Sequence, residues 1–224
     1  MGEFGGINRS IIIFLLFNIV VKSILFSQEI IDKPIQFTEE RKQLSLEYLE
    51  QHYGIAQKEP IITPRMIVLH WTAIPSFKKS FDAFDDVHLP NARTEIKDAS
   101  TLNVSIQFLI DRDGQIYRLM PETWMARHVI GLNHVAIGVE NVGGAKKPLT
   151  KAQLKSNIWL VEYLKAKYET IEYLIGHYEY KTFENSNLWL EKDENYRTNK
   201  IDPGVNFMKK VRKATQYLDL KGAI

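Results

Sequence analysis

A short apolar run that ends in a histidine decides the fold of this chain: residues 65–70 read Arg65-Met-Ile-Val-Leu-His70. Its branched and apolar side chains show no polar alternation, which is typical of a strand buried on both faces of a sheet. Similar runs recur at residues 135–142 and 173–175, and the last of these leads into Gly176-His177. We therefore expect these three runs to be strands of one buried sheet.

Helices and one hairpin separate these strands. Amphipathic patterns predict helices over residues 38–53 and 76–87, and a third helix begins at a capping box that opens with Thr150. Asp113-Gly114 predicts the turn of a β-hairpin, and Pro203-Gly204 precedes the last helix. The alternation predicts an α/β fold, a central mixed β-sheet flanked by helices on both faces.

Composition limits the class of protein. The chain has 224 residues, 45% of them hydrophobic, which leaves room for one domain with a sizeable core and an appendage. Lys and Arg number 29 against 27 Asp and Glu, and a net charge of only +2 argues against a nucleic-acid partner. The absence of cysteine excludes disulfides, a thiol nucleophile and cysteine-bound metal. A metal site in this chain would have to use histidine and carboxylates.

The amino terminus predicts an export signal. Residues 11–21 form an almost uninterrupted apolar run after Arg9, short for a membrane span of about 20 residues but suited to a signal peptide. We expect residues 1–27 to be a signal peptide, with an uncleaved membrane anchor as the alternative. The protein would then act in the periplasm or outside the cell. Residues 28–60 are interpreted as a linker, over 28–37, and an amino-terminal helix, and residues 61–220 as the functional domain.

Two histidines and one aspartate occupy positions suited to metal binding. His70 and His177 each follow an apolar strand, and Asp202 lies in a turn stiffened by Pro203 and Gly204. A catalytic zinc takes three protein ligands and keeps one position open, and two imidazoles with one carboxylate suit that ion. The spacing of the three residues forms no compact ligand signature. From the residues alone, core or capping histidines remain the alternative.

Six short stretches occur in a fixed order along the chain: Ile67-Val-Leu-His-Trp-Thr-Ala73, Val104-Ser-Ile-Gln-Phe-Leu-Ile-Asp-Arg-Asp-Gly-Gln-Ile-Tyr117, Arg127-His128 to Gly131, Ile137-Gly-Val-Glu-Asn-Val-Gly143, Gly176-His177 and Lys200-Ile-Asp-Pro-Gly204. Each is weak alone, but their order is specific. In that order they resemble the zinc-dependent N-acetylmuramoyl-L-alanine amidases of the type 2 family, whose fold is shared with peptidoglycan recognition proteins. The resemblance implies that fold, with residues 61–220 as the zinc amidase domain.

The resemblance also assigns chemistry to five residues. It implies that His70, His177 and Asp202 bind Zn²⁺. Glu140, a carboxylate in an otherwise apolar run, is implied to be the general base that takes a proton from attacking water and returns it to the leaving amine. The alternative to this role is that Glu140 forms a structural salt bridge. Lys200 is implied to stabilise the developing oxyanion, with a plain surface lysine as the alternative.

Further positions concern the substrate. The resemblance implies that His128 lies in the cleft that binds sugar and peptide, with an ordinary loop histidine as the alternative. Trp71, which directly follows His70, is expected to form part of the cleft wall, and Asn133 is expected to bind substrate. Residues 178–199 are an insertion rich in aromatic side chains, which predicts either a wall or lid of the cleft or a packed surface loop. Gln107 stands where relatives often carry histidine.

The resemblance implies hydrolysis of one bond, the amide between the lactyl group of N-acetylmuramic acid and L-alanine of the peptidoglycan stem peptide. The expected partners are peptidoglycan and muropeptides, and we expect a monomer. Two alternatives remain open. One is a non-catalytic peptidoglycan-binding module of the recognition-protein type, and the other is a metallohydrolase that acts on another amide or peptide bond.

Overall fold

A six-stranded sheet lies at the centre of the computed structural model, which describes residues 28–224. The strands are β1 (Ile30–Asp32), β2 (Met66–Leu69), β3 (Phe108–Ile110), β4 (Ile116–Arg118), β5 (Ala136–Asn141) and β6 (Tyr173–Gly176). Their order across the sheet is β1-β4-β3-β5-β2-β6, and every neighbouring pair is parallel except the β3–β4 hairpin. The predicted mixed sheet and its hairpin are confirmed.

Helices cover both faces of this sheet, as predicted. They are α1 (Glu39–Tyr48), α2 (Phe77–Asp85), α3 (Lys151–Lys167) and α4 (Val205–Ala214), and α1 continues into a π-helical turn, Leu49–Tyr53. Side chains of α3 and α4 pack on one face together with Ile67 and Ile137, and α1 and α2 pack on the opposite face. Both side-chain bonds of the predicted capping box form at the start of α3.

The first strand differs from the linker predicted over residues 28–37. Ile30–Asp32 pairs in parallel with β4 at the edge of the sheet. Arg118 Nε lies 2.6 Å from Asp32 Oδ1 across this pairing, and Gln28 Nε2 donates to the carbonyl oxygen of Gly114 at 2.7 Å. A strand of three residues is too short to show a pattern, so pairing with the rest of the fold makes it a strand.

The predicted signal segment, residues 1–27, lies outside the described residues. Within residues 28–224, none of the helices has both the length and the apolar character that a membrane crossing requires.

Buried side chains along the insertion at residues 178–199 anchor it to the rest of the fold. Phe183, Leu188 and Tyr196 are buried in the same cluster as the end of α1. His52 Nδ1 lies 2.8 Å from Glu191 Oε1, so a buried polar contact also joins the insertion to the π-helical turn. These contacts agree with a packed loop, and only the last part of the insertion reaches the cavity described below.

Candidate active site

Three of the predicted site residues form one row at the carboxyl edge of the sheet. The register pairs Leu69, the last residue of β2, with the residues that precede Glu140 in β5 and His177 after β6. One step further along these parallel strands, His70, Glu140 and His177 are neighbours. Adjacent strands lie about 4.8 Å apart, so side chains of one row that share a face can touch.

A turn brings Asp202 to the same place. Its carbonyl oxygen accepts a hydrogen bond from the backbone N–H of Tyr178, 3.1 Å away, the residue directly after His177. The turn then passes close to the indole of Trp71, where a Cβ on Gly204 would lie 3.3 Å from the ring. Gly204 has φ 91°, a conformation that glycine adopts without strain. A backbone hydrogen bond therefore holds Asp202 against the end of β6.

His70, His177 and Asp202 point three ligand atoms at one another. His70 Nδ1 lies 2.9 Å from His177 Nδ1 and 3.2 Å from Asp202 Oδ2, and His177 Nδ1 lies 3.0 Å from the same oxygen. Ligands of a tetrahedral zinc, each about 2.0–2.1 Å from the ion, are about 3.3 Å apart, so the triangle has nearly that size. Among residues 28–224 this is the only such group that could hold a metal ion. The donor set fits zinc.

The surroundings of His70 and Asp202 favour the protonation states that bind metal. Burial and the neighbouring His177 lower the pKa of His70 to about 4, although Asp202 opposes this shift. Burial alone would raise the pKa of Asp202, but His177 and His70 hold it below its ordinary value. At neutral pH the site therefore offers a neutral imidazole at His70 and a carboxylate at Asp202, as zinc ligands require.

Glu140 lies beside this triangle in a different environment. Its buried Oε2 has no hydrogen-bond partner among the described residues. Burial and the nearby Asp202 raise the pKa of Glu140 well above its ordinary value, while Arg93 and Lys200 partly offset the shift. A buried carboxylate oxygen without a partner costs free energy, so Oε2 does not stabilise the fold.

One cavity of about 220 Å³ opens over these groups, and all eight predicted site residues line it. Trp71 is partly exposed there. Asn133 is 1% exposed, and its Oδ1 accepts hydrogen bonds from the N–H groups of His128 at 2.9 Å and Val129 at 2.7 Å. Its Nδ2 donates to the hydroxyl of Tyr53 at 2.9 Å. The side chain of Asn133 thus supports the loop that carries His128.

The ring of His128 contacts a predicted metal ligand. Its Nδ1 lies 3.0 Å from His70 Nε2, and its Nε2 lies 3.3 Å from the carbonyl oxygen of Ala136. Burial and the neighbouring His70 lower the pKa of His128 well below its ordinary value, so the ring is neutral at neutral pH.

Some residues of the site escaped the sequence analysis. Arg93 lines the cavity, but it lies in an irregular segment without a motif that would single it out. Tyr196 and Thr198 also line the cavity, and they belong to the insertion at residues 178–199, for which a wall of the cleft was one of the two expectations. Gly138 could have been found from the sequence, because an isolated glycine inside a strand often marks a place where another group approaches the backbone closely. A Cβ there would lie 2.8 Å from His128 Nδ1.

The departure at Gln107 has a structural explanation. Its Oε1 accepts a hydrogen bond from the N–H of Gly138 at 2.8 Å, and its Nε2 donates to the carbonyl oxygen of Trp124 at 2.8 Å. The side chain is fully buried. Gln107 therefore bonds the backbone of β5 and does not reach into the cavity.

Two histidines and an aspartate around one point could hold a metal ion, and the same cavity contains a glutamate whose buried oxygen has no partner among residues 28–224. The chain belongs to the N-acetylmuramoyl-L-alanine amidase family, whose sequence profile matches residues 57–205, more than half of its length. Membership of this family supports a peptidoglycan amidase function for the chain. No curated protein matches the chain.

Solved structures of similar shape include amidases and recognition proteins. The selenomethionine derivative of AmpD aligns over 83% of this chain and 94% of its own, with a TM-score of 0.51 and 22% identity, which indicates a shared fold. The amidase LysC from Clostridium intestinale URNW covers 86% of this chain and 99% of its own, at a TM-score of 0.48 and 23% identity. Human PGRP-IBETAC, in complex with glycosamyl muramyl pentapeptide, covers 68% of this chain and 85% of its own, at a TM-score of 0.47 and 15% identity.

Proposed function

We propose that the chain is a zinc-dependent N-acetylmuramoyl-L-alanine amidase that hydrolyses the amide between the lactyl group of N-acetylmuramic acid and L-alanine. The observation that carries the proposal is the triangle of buried donor atoms from His70, His177 and Asp202 beside the unpaired Glu140. A chain of this family with such a cluster has the parts that amide hydrolysis needs.

The three donor atoms of the triangle would hold the metal. His70 Nδ1, His177 Nδ1 and Asp202 Oδ2 are three ligands, the number that catalytic zinc sites use. When bound, zinc supplies Lewis acidity, which polarises a substrate carbonyl and makes water more acidic.

Glu140 and Lys200 would carry out the proton transfer and the charge stabilisation. The raised pKa of Glu140 makes its carboxylate a stronger base than an exposed glutamate. It takes one proton from the water that attacks the amide carbon and returns that proton to the leaving nitrogen. The carbon–nitrogen bond then breaks to a carboxylic acid and a free amine, and the acid loses its proton to the amine or to solvent. Lys200 lines the same cavity, and its charge stabilises the negative charge that develops on the carbonyl oxygen.

Peptidoglycan or its muropeptide fragments would be the substrate. Trp71 adjoins the ligand His70 and keeps a partly exposed ring in the cavity, which suits stacking on a sugar. From the apolar run in residues 1–27 we infer that the protein is exported. It would then act on the cell wall outside the cytoplasm, and we expect it to act as a monomer.

A non-catalytic recognition module is the alternative from another class of function. Such a module would need neither metal ligands nor a general base, yet this chain carries three donor side chains and a glutamate whose buried oxygen lacks a partner among residues 28–224. Elemental analysis of the purified protein separates the two: about one zinc per chain supports the enzyme, and muropeptide binding without zinc supports the module.

Digestion of sacculi with and without a chelator tests the reaction itself. We expect intact stem peptides with a free L-alanine amino end, identified by mass, and their disappearance when zinc is removed. Products cut within the stem peptide would indicate a different hydrolase, and binding without products would contradict the proposal.

A further inference from the structure

His128 fills a gap at the side of β5. The carbonyls of Val135 and Val139 accept hydrogen bonds from the N–H groups of Met66 and His70, so the alternate residues Ala136 and Gly138 face the opposite side. There β3 begins only opposite Val139, which leaves Ala136 without a strand partner on that side among the described residues. His128 Nε2, 3.3 Å from the carbonyl oxygen of Ala136, takes the place of that partner.

This contact fixes the direction of a short chain of hydrogen bonds. A carbonyl oxygen only accepts, so the proton of the neutral His128 ring is on Nε2 and its Nδ1 is an acceptor. His70 Nε2 lies 3.0 Å from that Nδ1 and donates to it. The single proton of neutral His70 is therefore held on Nε2, and its Nδ1 presents a lone pair toward His177 and Asp202.

The surroundings of His128 hold its ring in this position. A Cβ on Gly138 would lie 2.8 Å from His128 Nδ1 and 2.2 Å from Ile106 Cδ1, so glycine leaves the space that the ring occupies. From the other side, Asn133 Oδ1 accepts the backbone N–H of His128 at 2.9 Å. The ring is thus fixed by both the sheet and the loop.

We propose that His128 is a positioning residue, which fixes the tautomer and the ring orientation of His70 so that Nδ1 can bind zinc. Metal-binding histidines usually donate their second N–H to a carboxylate, a carbonyl or water, and here an imidazole nitrogen takes that place. The inference rests on the proposed function, because it assumes that zinc occupies the site. It gives His128 a task other than the substrate contact expected from the resemblance.

Zinc affinity of the full-length chain tests this role directly. His128→Phe removes the acceptor, and we expect its zinc dissociation constant, measured by competition with a chelator, to rise about 10–100-fold. His128→Asn keeps an acceptor near the position of Nδ1 and should recover most of the affinity. With zinc in excess, the KM for a soluble muropeptide should stay at the wild-type value in both variants.

His134 provides the matched control, because it lies six residues along the chain and its buried Nδ1 has no partner among the described residues. His134→Phe and His134→Asn should leave the zinc dissociation constant unchanged. If His128→Phe fails to fold, as judged by circular dichroism, His128→Gln replaces it, since its longer amide does not place an acceptor at Nδ1.

Unchanged zinc affinity in a folded variant that lacks the acceptor would overturn the proposal. A raised KM with unchanged zinc affinity would overturn it too and would assign His128 to substrate binding. A wild-type chain that binds zinc in a His128-dependent way but releases no stem peptide from sacculi would contradict the proposed function alone.

Discussion

Replacing Glu140 by glutamine tests whether its carboxylate serves the reaction or the fold. Oε2 is buried without a partner among residues 28–224, so an amide of the same shape removes a titratable group and no structural contact. We expect Glu140→Gln to fold and to bind zinc like the wild type, with a free energy of unfolding within about 1 kcal/mol of it. Hydrolysis alone should be lost.

The expected loss of rate follows from the task assigned to Glu140. A positioned general base contributes about 10²–10⁴-fold, which is about 3–5 kcal/mol of activation free energy. Asp202 is the other carboxylate that lines the cavity, and its Oδ2 lies 3.0–3.2 Å from the Nδ1 atoms of both histidines. It is therefore not free to replace Glu140, and the loss should reach that range.

Initial rates of free amino-end release from sacculi measure the effect, together with zinc content and thermal unfolding of the same samples. Glu122→Gln is the matched control. Glu122 is a buried glutamate outside the cavity, and its Oε atoms lie 2.8 Å from Arg118 and 2.7 Å from both Lys167 and Tyr168. Its loss should cost about 1–3 kcal/mol of stability and leave the rate per folded molecule unchanged.

Two results would refute this reasoning. One is a Glu140→Gln variant that retains wild-type kcat with zinc bound. The other is a variant whose loss of rate tracks a loss of zinc or of folded protein, because Glu140 would then support the structure.

Three further predictions address the metal, the insertion and the pH dependence. His177→Ala should abolish zinc binding and hydrolysis together, and normal turnover after chelation and repurification would contradict the ligand assignment. Gly131→Ala should lower stability by about 1–3 kcal/mol in chemical denaturation, because its Cβ would lie 2.5 Å from the ring of Trp189 at a φ of 79°; an unchanged midpoint would show that the insertion is loosely packed. Burial lowers the pKa of His134 to about 4, so the unfolded chain takes up the proton first as the pH falls. Stability should therefore drop between about pH 6.5 and 4, by at most about 1.4 kcal/mol per pH unit from this group, and His134→Asn should show a shallower slope than the wild type.

Elements with local signals were predicted well from the sequence. The run before His70 has no polar alternation because both faces of β2 are covered, and all four of its residues are fully buried. Thr150 and the Asp113-Gly114 turn depend on bonds within a few residues, so their patterns sufficed. The strand Ile30–Asp32 could not be predicted in this way, since only its pairing with β4 distinguishes it from a linker.

The site was harder to predict, because the register of distant strands assembles it. The spacing of His70, His177 and Asp202 shows no ligand pattern. Their positions after strands and in a stiff turn made them candidates, but only the ordered motifs of a family implied that they act together as ligands. Asn133 illustrates the limit, since its amide serves the loop around His128, and no sequence pattern reveals where a side chain's hydrogen bonds go.

The row of His70, Glu140 and His177 also bears on when the protein becomes active. His70 and His177 are 107 residues apart, and parallel neighbours pair only after long crossovers close. A nascent chain that does not yet reach residue 177 lacks one member of the row, so the site is incomplete. A slip of one residue in the register of any of these strands would also turn one of the side chains to the wrong face of the sheet. The complete group of side chains can thus assemble only after the chain has been made past Asp202.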